Sequence, residues 1–169
     1  MISSMTSQSQ TTEQEPVPAT GTAQTTVPAT TESTAETDLE VSIIDVGQGD
    51  ATLVKLPNGK TMLVDAGPDV QASAIENELS KRGIDKIDYL IATHADSDHI
   101  AGMSAIVGNH EIGEFLAPQS THTTDSYLDL LQAVQNKGIA TSAAWAGDVI
   151  AYGSDFSVKI LSPAEGQTY

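Results

Sequence analysis

The amino-acid sequence predicts a mixed α/β (α+β) fold in which helices pack on a sheet. Two observations carry this prediction. Strand patterns flank Asn58-Gly59, the strongest short hairpin signal, and they indicate an antiparallel start. Beyond residue 65, apolar strands alternate with helical patterns, which is typical of strands joined by helices. A length of 169 residues favours a single domain.

The first part of this domain is predicted to hold four strands and one helix. Ile75 and Leu79 stand at helical spacing, and Gly83 can end that helix. Strands are expected at 41–46, 51–56, 61–65 and 87–93, and the helix at 71–82.

The second part continues the alternation of helices and strands. A helix is expected from about 98 to 107, then a brief strand at 114–117. Apolar residues at helical spacing, with Lys137-Gly138 as an end signal, predict a helix at 127–137. Three strands at 139–143, 149–150 and 156–161 complete the pattern.

Residues 1–39 form a Thr/Ser/Pro-rich leader or stalk, and residues 40–169 form the predicted domain. The leader contains almost no large apolar side chain, and Val17-Pro18-Ala19-Thr20 recurs at 27–30. Such a segment cannot bury enough surface to offset the entropy of ordering, so we expect disorder. Its composition fits an exposed surface stalk and fits a linker or cloning remnant equally. No signal-peptide pattern is visible at its start.

Composition excludes several classes of protein. The absence of cysteine excludes a disulfide scaffold, a thiolate zinc or iron–sulfur site and a thiol nucleophile. A formal net charge of −16 argues against a broad basic surface that grips nucleic acid. It still permits a nuclease, because metal ions in an acidic cleft can supply positive charge. No apolar run approaches the roughly 20 residues of a membrane span.

The chemistry is concentrated in the segment His94-Ala95-Asp96-Ser97-Asp98-His99. It follows an apolar strand and opens a helix, so His94 and Asp96 can address one metal ion while Asp98 and His99 turn toward a second. Imidazole and carboxylate ligands suit zinc, manganese or iron. Two ions about 3.5–4 Å apart can share a water and clamp an ester oxygen. The alternative is a polar turn in which Asp98 only caps the helix.

Three segments resemble the metallo-β-lactamase superfamily, and more narrowly the hydrolase domain of ComEC-type competence proteins. They are residues 42–50 (SIIDVGQGD), 61–67 (TMLVDAG) and 91–103 (IATHADSDHIAGM). The resemblance covers residues 40 to about 161. It implies an αββα sandwich and a hydrolase that acts through a metal-bound hydroxide. For the competence branch it implies a phosphodiesterase or nuclease, thought to degrade the DNA strand that is not imported.

The resemblance also implies a role for each matching residue. His94 and Asp96 correspond to the ligands of a first metal ion, and Asp98 and His99 to those of a second. Asp98 would also hold the attacking water and is the predicted catalytic residue. Asp65 would support the metal loop by hydrogen bonds, although an ordinary acid at a strand end is the alternative. The implied cofactors are two divalent ions, with zinc (Zn²⁺) favoured and manganese (Mn²⁺) as the second choice.

The resemblance ends before the second half of the family's domain, which supplies further ligands. Asp45 and Asp50 are expected to shape the floor of the site, and His110 and His122 to be surface residues. Because the chain stops at Tyr169, we expect the N-terminal half of the sandwich, truncated on its C-terminal side. An exposed sheet edge and exposed apolar faces should follow.

The sequence thus predicts a metal-dependent hydrolase, with DNA or another phosphodiester as the substrate. One alternative is a catalytically incomplete, surface-exposed module of the same fold that binds metal or a partner. Another is a hydrolase of a different ester or thioester, since one fold hosts many substrates. The leader and the competence-type resemblance favour an extracytoplasmic or cell-surface location in a bacterium.

Overall fold

The computed structural model describes residues 38–119 and 121–167. The predicted disordered leader at 1–39 lies outside the described residues, apart from its last two positions, and stays a prediction. Among the described residues, no helix has the length and apolar character needed to cross a bilayer.

The elements follow the predicted order of strands and helices. The strands are β1 (Glu40–Ile43), β2 (Thr52–Lys55), β3 (Thr61–Val64), β4 (Lys86–Ile91), β5 (Glu111–Ala117), β6 (Ala140–Ala143), β7 (Val149–Tyr152) and β8 (Ser157–Lys159). The helices are α1 (Ala72–Lys81), α2 (Ser97–Ile100), α3 (Met103–Asn109) and α4 (Asp125–Lys137), and a 3₁₀ turn at Asp69–Gln71 precedes α1. The predicted mixed α/β class is confirmed.

Strands β1 to β6 form one sheet in chain order. The pairs β1–β2 and β2–β3 are antiparallel, whereas β3, β4, β5 and β6 run parallel to one another. The register aligns Leu53 with Leu63, Leu63 with Leu90, and Leu90 with Phe115. Because strand residues in register share a face, these four side chains form one continuous apolar row.

The helices cover the face of the sheet that carries this row. Helix α1 contributes Ile75 and Leu79, α3 contributes Met103 and Ile106, and α4 contributes Leu130, all at most 1% exposed. These contacts make the larger of two apolar cores. Burial of apolar area against the sheet, at about 25 cal/mol per Å², is what holds the helices in place.

The opposite face of the sheet packs against the antiparallel hairpin of β7 and β8. Met62, Tyr89 and Leu116 of the sheet are buried there with Ala151 of β7. This smaller core leaves part of the face uncovered, and the edge strand β1 exposes Ile43, whose relative exposure is 74%. An exposed apolar sheet edge agrees with the sequence prediction.

The helix predicted at 98–107 is wrong in one respect, because the chain forms two helices with a break at Ala101-Gly102. The amide of Gly102 donates to the carbonyl oxygen of Gly67 at 3.0 Å. A Cβ at position 102 would lie 2.2 Å from the carbonyl oxygen of Ala66. Close approach of the loop after β3 therefore interrupts the helical hydrogen bonding at position 102 and leaves no room there for a side chain.

The strand predicted at 114–117 begins three residues earlier, at Glu111. Pairing with β4 extends it, because Ile112 lies opposite Ile87 in the parallel register. The other predicted elements agree with the structure to within three residues at each end.

Candidate metal centre

The chemistry-bearing residues meet at the carboxyl ends of the parallel strands β3 and β4. Asp65 directly follows β3, and its amide continues the ladder by donating to the carbonyl oxygen of Ile91 at 2.9 Å. His94 comes three residues after β4 ends, and His99 lies in α2. Ligand sites in sheets with parallel strands typically occur at these strand ends.

Asp65 is a buried carboxylate that accepts three hydrogen bonds. Its Oδ1 accepts the amide of Thr93 at 2.8 Å. Its Oδ2 accepts the Thr93 hydroxyl at 2.6 Å and lies 2.8 Å from Nδ1 of His99. The residue is 1% exposed and has a left-handed φ of 55°. A non-glycine residue in this conformation carries strain, and such strain concentrates at functional sites.

The two imidazoles of the predicted site lie side by side. The ring centroids of His94 and His99 are 4.0 Å apart. His99 is the more buried side chain, with 14% exposure against 36% for His94. Asp65, His94 and His99 each offer a ligand-type atom within 4.8 Å of the others. The tertiary structure therefore brings together three of the five predicted site residues.

The other two, Asp96 and Asp98, are more exposed, and each lies beside one imidazole. Oδ2 of Asp96 is 3.4 Å from Nε2 of His94, and Oδ2 of Asp98 is 3.9 Å from Nε2 of His99. Asp96, not Asp98, is the N-cap residue of α2, and its side chain makes no capping hydrogen bond. The alternative in which Asp98 only caps the helix is therefore wrong, while the ligand roles stay a prediction.

The distances allow a test of whether these residues fit a metal ion. Two ligand atoms bound tetrahedrally to one zinc ion at about 2.0–2.1 Å stand about 3.3 Å apart. The 3.4 Å between His94 and Asp96 fits that separation, and the 3.9 Å between His99 and Asp98 exceeds it slightly. Asp65 is less suited to ligate, because its oxygens already accept three hydrogen bonds. Two imidazoles and two carboxylates suit zinc or manganese.

Sequence reasoning missed two residues that shape the site. Thr93 contacts both Asp65 and His94 through its hydroxyl, and the only local signal was a hydroxyl residue directly before the histidine. Gly49 lies so close to α2 that a Cβ there would stand 1.7 Å from the carbonyl oxygen of Asp98. Asp50, expected at the floor, has its Oδ2 3.9 Å from Nδ1 of His99.

A groove of about 810 Å³ borders the site on the hairpin face of the sheet. Mostly apolar side chains line it, and His94 and Asp96 lie at its border. His122 also lines the groove and is half-buried, with its ring 5.9 Å from that of Tyr127. His122 is therefore a partly exposed residue of the groove wall, which is compatible with the expected surface position.

His110 is more buried than a surface residue, contrary to the expectation. Its side chain is 12% exposed, and its Nε2 lies 2.7 Å from Oε2 of Glu76. This contact links the end of α3 to α1, so the side chain supports the packing of the two helices.

Two curated bacterial proteins are similar in sequence. The ComE operon protein 3 of Bacillus subtilis is 29% identical over 141 residues, which is 73% of this chain and 18% of that protein. Recombination protein 2 of Haemophilus influenzae is 32% identical over 93 residues, which is 52% of this chain and 12% of that protein. The chain thus spans less than a fifth of the length of either relative.

A similar solved structure is that of the chemotaxis sensor ODP with a peroxy diiron species. It has a TM-score of 0.50 and 18% identity, and the match covers 72% of this chain and 48% of that one. This likeness shows the fold alone. The sequence model of the metallo-beta-lactamase superfamily matches residues 44–134, more than half of the chain. On that match, the chain belongs to the metallo-beta-lactamase superfamily.

Proposed function

We propose that this chain carries the metal-binding strand ends of a phosphodiesterase. Family membership implies a hydrolase fold that binds divalent metal. The observation that carries the proposal is the pairing of each imidazole Nε2 with a carboxylate oxygen less than 4 Å away. We assign His94 and Asp96 to one divalent ion and Asp98 and His99 to a second. Zinc is the favoured metal, and manganese is the alternative.

In this proposal Asp98 and Asp65 have different roles. A divalent ion held there supplies Lewis acidity toward the oxygen of the scissile ester. Asp98, with its side chain half exposed, orients the attacking water and accepts its proton at Oδ. Asp65 is buried and already accepts three hydrogen bonds, so it holds the ring of His99 instead of acting on the substrate.

The choice of a phosphodiester, with DNA as the candidate partner, rests on similarity to the ComE operon protein 3 and on charge. Carboxylates at the site would repel a phosphodiester unless cations neutralise them, and bound divalent ions do this. The competence-type similarity also favours a bacterial cell-envelope context. We propose an extracytoplasmic location, with residues 1–39 as a leader and 40–169 as the hydrolase domain.

The first experiment measures metal per chain by elemental analysis, on protein purified without chelator and then titrated with Zn²⁺ or Mn²⁺. We expect one to two equivalents in the wild-type chain. Asp98→Ala should lose about one equivalent or bind at least about tenfold more weakly, because one carboxylate ligand is gone. Asp129→Ala is the matched control, since it removes an exposed carboxylate on α4. Less than a tenth of an equivalent in the wild type would overturn the metal-site proposal.

The second experiment compares hydrolysis of bis(p-nitrophenyl) phosphate and p-nitrophenyl acetate by the metal-loaded chain. We expect cleavage of the phosphodiester by the wild-type chain. Asp98→Ala should lose this activity, whereas Asp129→Ala should keep it. Cleavage of the acetate alone would replace the proposal with a hydrolase of another ester. Full metal loading without either activity would replace it with the binding-module alternative.

A further inference from the structure

Thr93 lies between the buried carboxylate of Asp65 and the imidazole of His94. Its Oγ1 is 2.6 Å from Oδ2 of Asp65 and 2.9 Å from Nδ1 of His94. Both contacts are within hydrogen-bond distance, and 2.6 Å lies in the range of a charge-assisted bond between a hydroxyl and a carboxylate. The hydroxyl therefore links two groups that have no direct bond to each other among the described residues.

Counting protons fixes the direction of each bond. An ionised carboxylate only accepts, so the single hydroxyl proton of Thr93 points to Oδ2 of Asp65. The hydroxyl oxygen then faces Nδ1 of His94 with a lone pair. Nδ1 must carry the proton and donate to it. In the neutral ring this leaves Nε2 of His94 as the unprotonated nitrogen.

The imidazole of His99 contacts the same carboxylate directly, without a hydroxyl between them. Nδ1 of His99 is 2.8 Å from Oδ2 of Asp65, so this nitrogen donates to the carboxylate. Nε2 of His99 is again the unprotonated nitrogen. One buried carboxylate thus orders both rings, one directly and one through a hydroxyl.

We infer that Thr93 is a positioning residue that holds His94 in the Nδ1–H tautomer and keeps the lone pair of Nε2 free for a divalent ion. A metal-ligating imidazole usually donates its other N–H to a carboxylate, carbonyl or water, and such partners raise metal affinity. Here the partner is a threonine hydroxyl, itself polarised by Asp65. The effect of Thr93 on metal affinity rests on the proposed function. The Nδ1–H tautomer of His94 is expected in the metal-free chain as well.

The test uses two-bond ¹H–¹⁵N correlation spectra of the ¹⁵N-labelled, metal-free full chain, recorded at a pH at which the ¹⁵N shifts report neutral imidazoles. The wild type should show His94 and His99 both as Nδ1–H tautomers. Thr93→Val removes the hydroxyl at nearly constant volume, so His94 should become a mixture of tautomers while His99 stays unchanged. Thr93→Ser keeps the hydroxyl and should restore the wild-type pattern.

Zn²⁺ titration of the same three proteins gives the second readout. We expect Thr93→Val to bind about 10- to 100-fold more weakly, as is typical when a partner of a ligating histidine is removed. Thr93→Ser should bind nearly as tightly as the wild type. Equal affinity in Thr93→Val and the wild type would overturn the positioning role.

An Nε2–H tautomer of His94 in the wild type would overturn the inference without any variant. The same holds if His94 keeps its tautomer in folded Thr93→Val, with folding checked by circular dichroism. If the tautomers are as inferred but no metal binds, the proposed function fails while the tautomer assignment stands.

Discussion

The two ends of the main sheet carry ionisable residues in opposite arrangements. At the end where β3, β4 and β5 begin, acids pair with the protein's own bases. The pairs there are Arg82 with Glu40 and Glu78, Lys81 with Glu78, and Lys86 with Glu111. At the end where β3 and β4 stop, the basic groups that lie within 4 Å of Asp65, Asp96 and Asp98 in the described part of the chain are histidine imidazoles.

This difference explains why similar residues suggest different roles at the two ends. Five of the seven bases of the chain, at 55, 60, 81, 82 and 86, lie near the first end, and three of them, Lys81, Arg82 and Lys86, pair with acids there. Carboxylates at the other end lie beside imidazoles, which carry no permanent positive charge, unlike the side chains of lysine and arginine. A cation from solution is therefore the natural partner of that second end.

The largest effect should come from Asp65→Ala in the metal-free chain. The change leaves the amide of Thr93 and Nδ1 of His99 without their acceptor. Each buried donor left without an acceptor costs about 1–3 kcal/mol. Because Asp65 accepts from several donors, the free energy of unfolding should fall by about 3–5 kcal/mol. Asp88→Ala is the matched control at the other end, where one oxygen accepts the amide of Thr61 at 2.9 Å. It should cost about 1 kcal/mol.

Urea unfolding followed by circular dichroism measures both changes. Equal unfolding midpoints for Asp65→Ala and Asp88→Ala would show that the carboxylate network contributes no more than an ordinary hydrogen bond.

The two ends of the sheet also differ in the space around a glycine with positive φ. Gly49, at +76°, lies against Asp98, whereas Gly59, at +81° in the hairpin at the other end, has nothing within 4 Å of a built Cβ. Gly59→Ala should cost only the left-handed strain, about 1–2 kcal/mol. Gly49→Ala should cost about 1–3 kcal/mol more, because its Cβ overlaps the carbonyl oxygen of Asp98.

Metal titration separates a local effect of Gly49→Ala from simple destabilisation. We expect weaker Zn²⁺ binding in Gly49→Ala and wild-type binding in Gly59→Ala, since only the first shifts Asp98. Equal affinities in the two folded variants would contradict a link between this loop and the site.

The smallest effect should come from Arg82→Gln, at the end rich in bases. The hydrogen bond and charge of Arg82 hold the pKa of the Glu78 carboxyl below its usual range. A depressed pKa stabilises the fold above the carboxyl's ordinary pKa, and this contribution disappears as pH falls through the folded value. The variant should therefore lose less stability than the wild type on acidification.

Thermal unfolding at neutral and acidic pH, at low and high salt, measures this difference. Because both side chains keep contact with solvent, with exposed fractions of 28% for Arg82 and 24% for Glu78, we expect a small change in Tm that salt weakens further. Metal affinity should not change. A large, salt-independent loss would show that this end is coupled to the core more strongly than its exposure indicates.

Much of the fold could be predicted because its signals are local. Asn58-Gly59 predicts the hairpin between β2 and β3, and the apolar spacing of Ile75 and Leu79 predicts α1. The break between α2 and α3 could not be predicted. It depends on the approach of Gly102 to Ala66, two residues far apart in the chain whose contact no local pattern encodes.

The same division applies to the site. The sequence by itself determined the types and order of the proposed ligands, because His94, Asp96, Asp98 and His99 fall within six consecutive positions after one strand. Only the tertiary structure decided that Asp65 orders both imidazoles, through Thr93 for one and directly for the other. The physical reason is that this contact depends on the register of two parallel strands, which is set by packing of the whole sheet.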